Sequence, residues 1–314
     1  MKASCITAYG GKEVVRYGDV ADPVLTGTGV IVRVKASSIN PVDYKIKSGA
    51  IRMVSPSKFP RILGTDFSGT VEQVGSLVTV LKPGDRVYGA KFIFFGKPGS
   101  LAEKVLVEQK DIRPMPEWLS FSDAASLPVA ALTALNGLRK GNVSPGKKVL
   151  INGATGGVGH FGIQIARAKG ASVTATCSQA NASFATSLGA ERVTGYSKGE
   201  LGALEEKYDI ILDAYGKMDK EIICNLLKRG GVYASTLFMP YSALSAFLVR
   251  IVYGKRLTSS NMRGKPEDYD DLEKMLMEKK VVPHIEKTFT LENAAEAFEF
   301  AEKGRPKGKV IVTV

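Results

Sequence analysis

Val149-Leu150-Ile151-Asn152-Gly153-Ala154-Thr155-Gly156-Gly157-Val158-Gly159 is the stretch on which the reading of this 314-residue chain turns. Residues 148–152 have the composition of a buried parallel strand. They run directly into a glycine turn and then into the apolar helical pattern Phe161-Gly162-Ile163-Gln164-Ile165-Ala166. Set against G-x-G-x-x-G, the fingerprint positions fall on Ala154, Gly156 and Gly159, with Gly153 and Gly157 as additional glycines. In such a turn one glycine permits the bend, another lets backbone N–H groups approach a pyrophosphate, and a third lets helix and strand pack closely. The N–H groups and positive dipole at the helix start then hold the anion. A purely structural glycine turn is the competing reading, because alanine stands at the first position.

Downstream the chain alternates strand and helix. Strands are expected at 172–177, at 208–213 opening on Ala214-Tyr215-Gly216, and at 232–236, with helices at 182–188 and 219–227. This is the signature of an α/β doubly wound parallel sheet. Its carboxyl ends would set 153–159, Cys177-Ser178, Tyr215-Gly216 and Thr236-Leu237 along one ligand cleft. Upstream, residues 1 to about 115 read as mainly β: Val30-Ile31-Val32-Arg33-Val34 and Gly69-Thr70-Val71-Glu72-Gln73-Val74 alternate with turn residues such as Lys82-Pro83-Gly84-Asp85. A sandwich or partly open barrel is expected there. Pro114 and Pro116 mark a break before helices capped at Ser122-Asp123 and continuing over 130–138. After Lys265 come a helix at 269–279, Val281-Val282-Pro283-His284-Ile285, a helix at 291–303 and a strand at 309–314, material that can return to the first domain. The expected division is 1–119 with 266–314 in one domain and 120–265 in the other.

Composition sets bounds. Hydrophobic residues at 44% and charged residues at 24% fit an ordinary globular protein. No apolar run reaches the ~18–20 residues that span a bilayer, and Met1-Lys2-Ala3-Ser4-Cys5-Ile6 has no apolar signal core, so a soluble, cytoplasmic protein is expected. Cys5, Cys177 and Cys224 are too scattered for a disulfide framework and read as small buried thiols. The net charge of +12 is compatible with nucleic acid, an anionic membrane or a phosphorylated ligand. Two basic groups, Lys45, Lys47, Arg52, Lys58 and Arg61, and then Arg250, Lys255, Arg256, Arg263 and Lys265, lack the motifs of a nucleic-acid module and read mostly as solvated surface.

An NAD site places Asp or Glu about 20 residues beyond the glycine motif. Here that place holds Cys177-Ser178-Gln179-Ala180-Asn181, and the next acid is Glu191. A carboxylate there would repel a 2′-phosphate. Its absence favours NADPH over NADH, with Ser178 and Asn181 as neutral donors. His160 and His284 are the only histidines, and neither belongs to a ligand set, so no metal is expected. His160 reads as a cap, packing or phosphate contact, and His284 as a surface or interdomain residue. No G-x-S-x-G elbow supports a hydrolase.

Several stretches now carry a resemblance: Ser38-Ile39-Asn40-Pro41-Val42-Asp43-Tyr44-Lys45, Leu63-Gly64-Thr65-Asp66-Phe67-Ser68-Gly69, Leu127-Pro128-Val129-Ala130-Ala131-Leu132-Thr133-Ala134, the turn 153–159 and Gly308-Lys309-Val310. In this order they resemble the zinc-free medium-chain dehydrogenase/reductases. They are most similar to the branch of quinone oxidoreductases and enone (2-alkenal) reductases that includes the chloroplast-envelope quinone oxidoreductase homologues. The resemblance implies a Rossmann-type domain joined to a β-rich GroES-like catalytic domain. It implies that Asn40 and Thr65 stand where zinc alcohol dehydrogenases have a cysteine and a histidine ligand. NADPH contacts are implied at Lys45, Gly157-Val158, the loop from Ser178 to Asn181, Tyr196 and Lys309-Val310; Ala180 departs from the Arg or Lys that relatives commonly carry.

The implied chemistry is hydride transfer to a quinone or to the activated C=C bond of an α,β-unsaturated carbonyl, without zinc. Lys45 and Tyr44 are the candidates beside the nicotinamide, with Asn40 and Thr133 orienting it. The cofactor set is completed by Gly153, Ala154, Gly156, Tyr215, Thr236 and Leu237. A homodimer joined at the nucleotide-domain sheet edge and a small hydrophobic carbonyl or quinone substrate are expected, and nucleic acid is not. For the apolar stretch 238–253 a substrate lid, a buried helix, a subunit contact and, with Lys255 and Arg256, a membrane-surface contact all stand as readings. The alternative function is a non-catalytic NADP(H)-binding regulatory or membrane-surface protein.

Overall fold

The computed structural model describes residues 1–53, 55–237, 250–262 and 264–314. It divides into two compact units, Met1–Val129 with Ile285–Val314, and Ala130–His284. The changes of pattern in the sequence fall at 119/120 and 265/266, so helix Phe121–Ser126 lies in the first unit and helix Pro266–Met277 in the second. No described helix is long and apolar enough to cross a membrane.

The first unit is built on strands β1 (Lys2–Ile6), β2 (Val15–Asp19), β3 (Gly29–Ser38), β4 (Arg61–Ile62), β5 (Asp66–Val74), β6 (Arg86–Ala90), β7 (Lys104–Glu108) and β8 (Ile112–Pro114). A three-stranded sheet has the order β2-β1-β4. The larger sheet takes in two strands from the far end of the chain, Ile285–Thr290 and Lys309–Thr313; the latter pairs antiparallel with β3 at residues 36–38, and β7 pairs with the same edge of β3 at residues 29–33, opposite β5. Alternation explains the burial. In β3, Val30, Val32 and Val34 are buried with Phe67, Val71, Val87 and Val105 in one core, while Arg33 and Lys35 face solvent. Helix α1 (Pro41–Lys47) starts at a proline and closes a capping box, with Asn40 as N-cap and Asp43 at the third helical position. Its Ile46 packs with Ile6, Leu63, Ile93 and Phe298.

The second unit holds β9 (Lys148–Asn152), β10 (Ser172–Thr176), β11 (Arg192–Thr194), β12 (Tyr208–Asp213), β13 (Leu227–Ser235) and β14 (Arg256–Ser259) in one parallel sheet, ordered β11-β10-β9-β12-β13-β14. That is the 3-2-1-4-5-6 order of a doubly wound dinucleotide fold. β13 starts earlier than the glycine pair Gly230-Gly231 suggests, at Leu227, because Leu227 pairs with Tyr208 ahead of a register shift. The central strands are apolar on both faces, as a sheet covered on both sides requires. The lid candidate 238–253 lies outside the described residues except for its last four; of these Ile251, Val252 and Tyr253 are exposed.

Candidate active site

In the second unit β9 ends at Asn152 and the chain turns at Gly153, whose φ of +71° is open to glycine at little cost. The turn is tied to the neighbouring strand by the Gly153 N–H donating to Thr176 Oγ1 at 3.2 Å and the Ala154 N–H to the Thr176 carbonyl at 3.0 Å. Helix α2 (Gly157–Ala168) follows, with Gly156 as N-cap. A Cβ on Gly159 would stand 2.2 Å from the Gly153 carbonyl oxygen, so only glycine lets helix and turn approach this closely. Its first-turn N–H groups, those of Gly157 and Val158 among them, have no intrahelical acceptor by the geometry of any helix start, which leaves them to an anion.

Three buried side chains join the loops at the carboxyl ends of the strands. Thr176 Oγ1 donates to Asn152 Oδ1 at 2.6 Å, and Asn152 Nδ2 donates to Asp213 Oδ1 at 2.7 Å. The Asp213 carboxylate also accepts the N–H groups of Tyr215, Gly216 and Met218 and the Tyr233 hydroxyl, the last at 2.7 Å. The sequence reading gave Asn152, Thr176, Asp213 and Tyr233 no role. The available signal was a carboxylate closing the apolar run Ile210-Ile211-Leu212, which needs buried partners.

The remaining second-unit candidates sit around these loops. Ser178 is half-buried and Ala180 exposed; Asn181 Nδ2 donates to Thr155 Oγ1 at 3.3 Å. Tyr196 and Tyr215 are exposed, Thr236 Oγ1 donates to the Ala214 carbonyl, and Leu237 is half-buried. Thr133 is buried, its carbonyl accepting the Ser260 hydroxyl. His160 is fully buried; Nδ1 faces the Gly156 carbonyl at 3.1 Å and Nε2 accepts the His284 N–H, so it caps and packs. His284 is half-buried in this unit, its ring 4.5 Å from that of Phe184. Cys5 and Cys177 are buried and Cys224 half-buried, all unpaired.

In the first unit Tyr44 and Lys45 are half-buried on α1. Asn40 is buried and its carboxamide is committed inward: Oδ1 accepts Lys309 Nζ at 2.7 Å, while Nδ2 donates to Asp66 Oδ2 at 2.9 Å and to the Ser38 carbonyl at 3.4 Å. Asn40, expected to orient the nicotinamide, thus has its carboxamide bonded within the unit. Lys309 is 3% exposed and Val310 2%, so both, expected at the cofactor, point into the unit. Asp43 Oδ2 accepts the Asn40 N–H, and Oδ1 accepts the Gly64 N–H and the Thr65 hydroxyl. Burial pushes the Asp43 carboxyl up to about 7 against these donors, with Asp66 adding to the rise. Burial likewise raises Asp66 and lowers Lys309, each opposed by the other's charge. Lys47 and Arg61, read as solvated surface, are buried; Lys47 pairs with Glu302 at 3.1 Å, and Arg61 bonds Ser55, Ser57 and the Ile93 carbonyl.

The family model described as an alcohol dehydrogenase GroES-like domain matches residues 27–117, and the one described as a zinc-binding dehydrogenase matches 188–312. A 2-methylene-furan-3-one reductase of Solanum lycopersicum is 36% identical over 321 residues, covering 99% of this chain and 79% of that protein. A mitochondrial NAD(P)H oxidoreductase of Bos taurus, RTN4IP1, is 34% identical over 357 residues, covering 100% and 89%. The chain belongs to the medium-chain dehydrogenase/reductase family, in its branch of quinone oxidoreductases and enone reductases. The structure of a quinone oxidoreductase from Coxiella burnetii superposes with a TM-score of 0.89 at 32% identity, covering 100% of this chain and 99% of that one.

One family description names zinc. At Asn40 and Thr65, which the resemblance sets at zinc-ligand positions, stand an amide and a hydroxyl, both bonded to neighbours, and an ammonium lies 2.7 Å from the amide oxygen. Among the described residues no group of three or more His, Cys, Asp or Glu is placed to hold a metal ion. A dinucleotide does fit the second unit, where the glycine turn leaves no room for a Cβ at Gly159 and the sheet order reverses between β9 and β12.

Proposed function

We propose that this protein is an NADPH-dependent oxidoreductase, independent of zinc, that reduces quinones or the activated C=C bond of α,β-unsaturated carbonyls. The observation that carries the reading is the glycine turn at the switch point of a 3-2-1-4-5-6 sheet, in a chain whose relatives are named as enone reductase, NAD(P)H oxidoreductase and quinone oxidoreductase.

NADPH supplies a hydride, and the protein's work is positioning, charge placement and exclusion of water. The Gly157 and Val158 N–H groups are assigned to the pyrophosphate, and Ser178, Asn181 and Tyr196 to the phosphorylated ribose. The absence of a carboxylate from 178–181 supports the 2′-phosphate. Tyr215, Thr236, Leu237 and Thr133 are assigned to the nicotinamide half. Hydride addition to an enone or quinone leaves negative charge on the carbonyl oxygen, which a positioned donor must meet. Tyr44 and Lys45 are the donors assigned to that oxygen.

The deciding experiment is a panel of quinones, 2-alkenals and alkyl vinyl ketones offered with NADPH and with NADH, with and without a chelator. NADPH oxidation that is preferred over NADH and indifferent to chelator is expected. Tight NADPH binding without turnover of any panel member would overturn the enzymatic reading and leave a nucleotide-binding protein. Lys45→Ala and Tyr44→Phe are each expected to lower kcat/KM by about 10- to 1000-fold, the range for loss of one positioned donor.

A further inference from the structure

The lysine of the Gly308-Lys309-Val310 stretch is expected, by resemblance, to contact the dinucleotide, yet its side chain turns into the first unit. The Asp66 carboxylate is fully buried and gathers the Ser38 hydroxyl at 2.8 Å, Asn40 Nδ2 at 2.9 Å and the Val129 N–H at 3.0 Å, with Lys309 Nζ at 3.6 Å. Asn40 spans the two charges, its oxygen on the ammonium and its nitrogen on the carboxylate, so a flip of the carboxamide would set like against like at both ends. From Asn40 the frame continues along the backbone: its N–H bonds Asp43, and Asp43 holds Gly64 and Thr65. Asn40 and Asp43 are the cap and third residue of α1, and the next two residues are Tyr44 and Lys45.

We propose that Lys309 is a positioning residue and not a cofactor contact. With Asn40 and Asp66 it forms an internal charged frame that fixes the start of α1 and hence the stations of Tyr44 and Lys45. The inference rests on the reading of Tyr44 and Lys45 as the donors to the substrate oxygen. To reach a phosphate, the ammonium would have to leave Asn40 and abandon a buried carboxylate, which breaking a buried pair makes costly. The frame spans 269 positions of sequence, from Asn40 to Lys309, and is closed by the strand that pairs with β3.

Amine labelling of the native protein with an acetylating reagent, read by peptide mass spectrometry with and without NADPH, tests the placement without any substitution or any turnover. Lys309 is expected to stay unmodified in both conditions and to react only after unfolding. Labelling of Lys309 in the free protein that NADPH suppresses would overturn the proposal, whatever the substrate panel gives. The second test is a cycle of Lys309→Met, Asp66→Asn and the double variant, with kcat and the NADPH KM measured separately and folding checked by thermal melts. Each single variant is expected to lower kcat at least tenfold while the NADPH KM stays within twofold. The double variant should lose less than the product of the two, because it leaves no charge unpaired. A tenfold rise in NADPH KM at unchanged kcat for Lys309→Met, or strict additivity in the double variant, would sink it. If the single variants do not fold, the labelling of the native protein decides.

Discussion

Asn152 Nδ2 donates to Asp213 Oδ1 across 2.7 Å, joining the carboxyl ends of β9 and β12, the two strands between which the order of the parallel sheet reverses. Because Asp213 also takes three backbone N–H groups and the Tyr233 hydroxyl, one carboxylate sets the loop 214–218 that the proposal places against the cofactor. Asp213→Ala leaves those donors buried without an acceptor. A loss of about 3–5 kcal/mol is expected in urea denaturation, against about 1–2 kcal/mol for Tyr233→Phe, which removes one bond. Equal losses in the two variants would refute the carboxylate's central place.

Gly159→Ala brings a methyl group to 2.2 Å from backbone oxygen that cannot move without opening the turn. The variant is expected to lose NADPH affinity by at least tenfold in a fluorescence titration, and to unfold at lower temperature. Gly202→Ala is the control: it lies in helix Lys198–Gly202, nothing stands within 4 Å of its added Cβ, and it should raise stability by up to about 1 kcal/mol.

Asp43 makes stability depend on pH with a definite sign. Its folded pKa, about 7, lies above the roughly 3.9 of an unfolded Asp. The folded protein therefore binds the proton more tightly. Asp43's contribution is greatest below about pH 4, declines as pH rises to 7 and is flat above. Relative to Asp43→Asn, the wild type is expected to lose on the order of 1 kcal/mol per pH unit between pH 4.5 and 7. Parallel pH–stability curves from guanidinium titrations would rule this out.

Ala180 is exposed beside Ser178 and Asn181. An arginine there supplies the cation that the loop lacks. Ala180→Arg is expected to lower the NADPH KM about 10- to 100-fold with the NADH KM unchanged, the worth of one charge-assisted bond. An equal gain for both cofactors would place the 2′-phosphate elsewhere.

The parallel sheet was legible because its strands are continuous apolar runs punctuated by glycine: the runs at 148–152 and 208–213 coincide with β9 and β12. The glycine turn was legible for the same reason, since its geometry demands a residue type. The buried polar groups were not. Asp66 and Asn40 acquire meaning only through Lys309, which no local pattern connects to them, and Lys47 and Arg61 look like solvated cations until Glu302 and the Ile93 carbonyl are seen beside them. Lys309 is expected at the cofactor from the resemblance alone, and the direction of its side chain depends on a strand pairing that the sequence does not display. Strand Arg256–Ser259 was likewise missed, its four residues too short and too polar to signal a strand.

The strand Lys309–Thr313 lies between β3 and strand Ile285–Thr290 in the larger sheet of the first unit. During synthesis, residues 1–129 leave the ribosome with that place in their sheet still empty, and everything from 130 through the strand at 309–313 must be translated before it can be filled. At bacterial or eukaryotic elongation rates the wait is on the order of 10–30 s. For that interval the edge of β3 at residues 36–38, beyond the stretch that β7 covers, has no partner, and the carboxylate of Asp66 is without the ammonium of Lys309. The second unit, encoded as one uninterrupted segment, is free to fold during the wait. Chain order therefore lets the second unit be translated in full before the unit that carries Tyr44 and Lys45 can be completed.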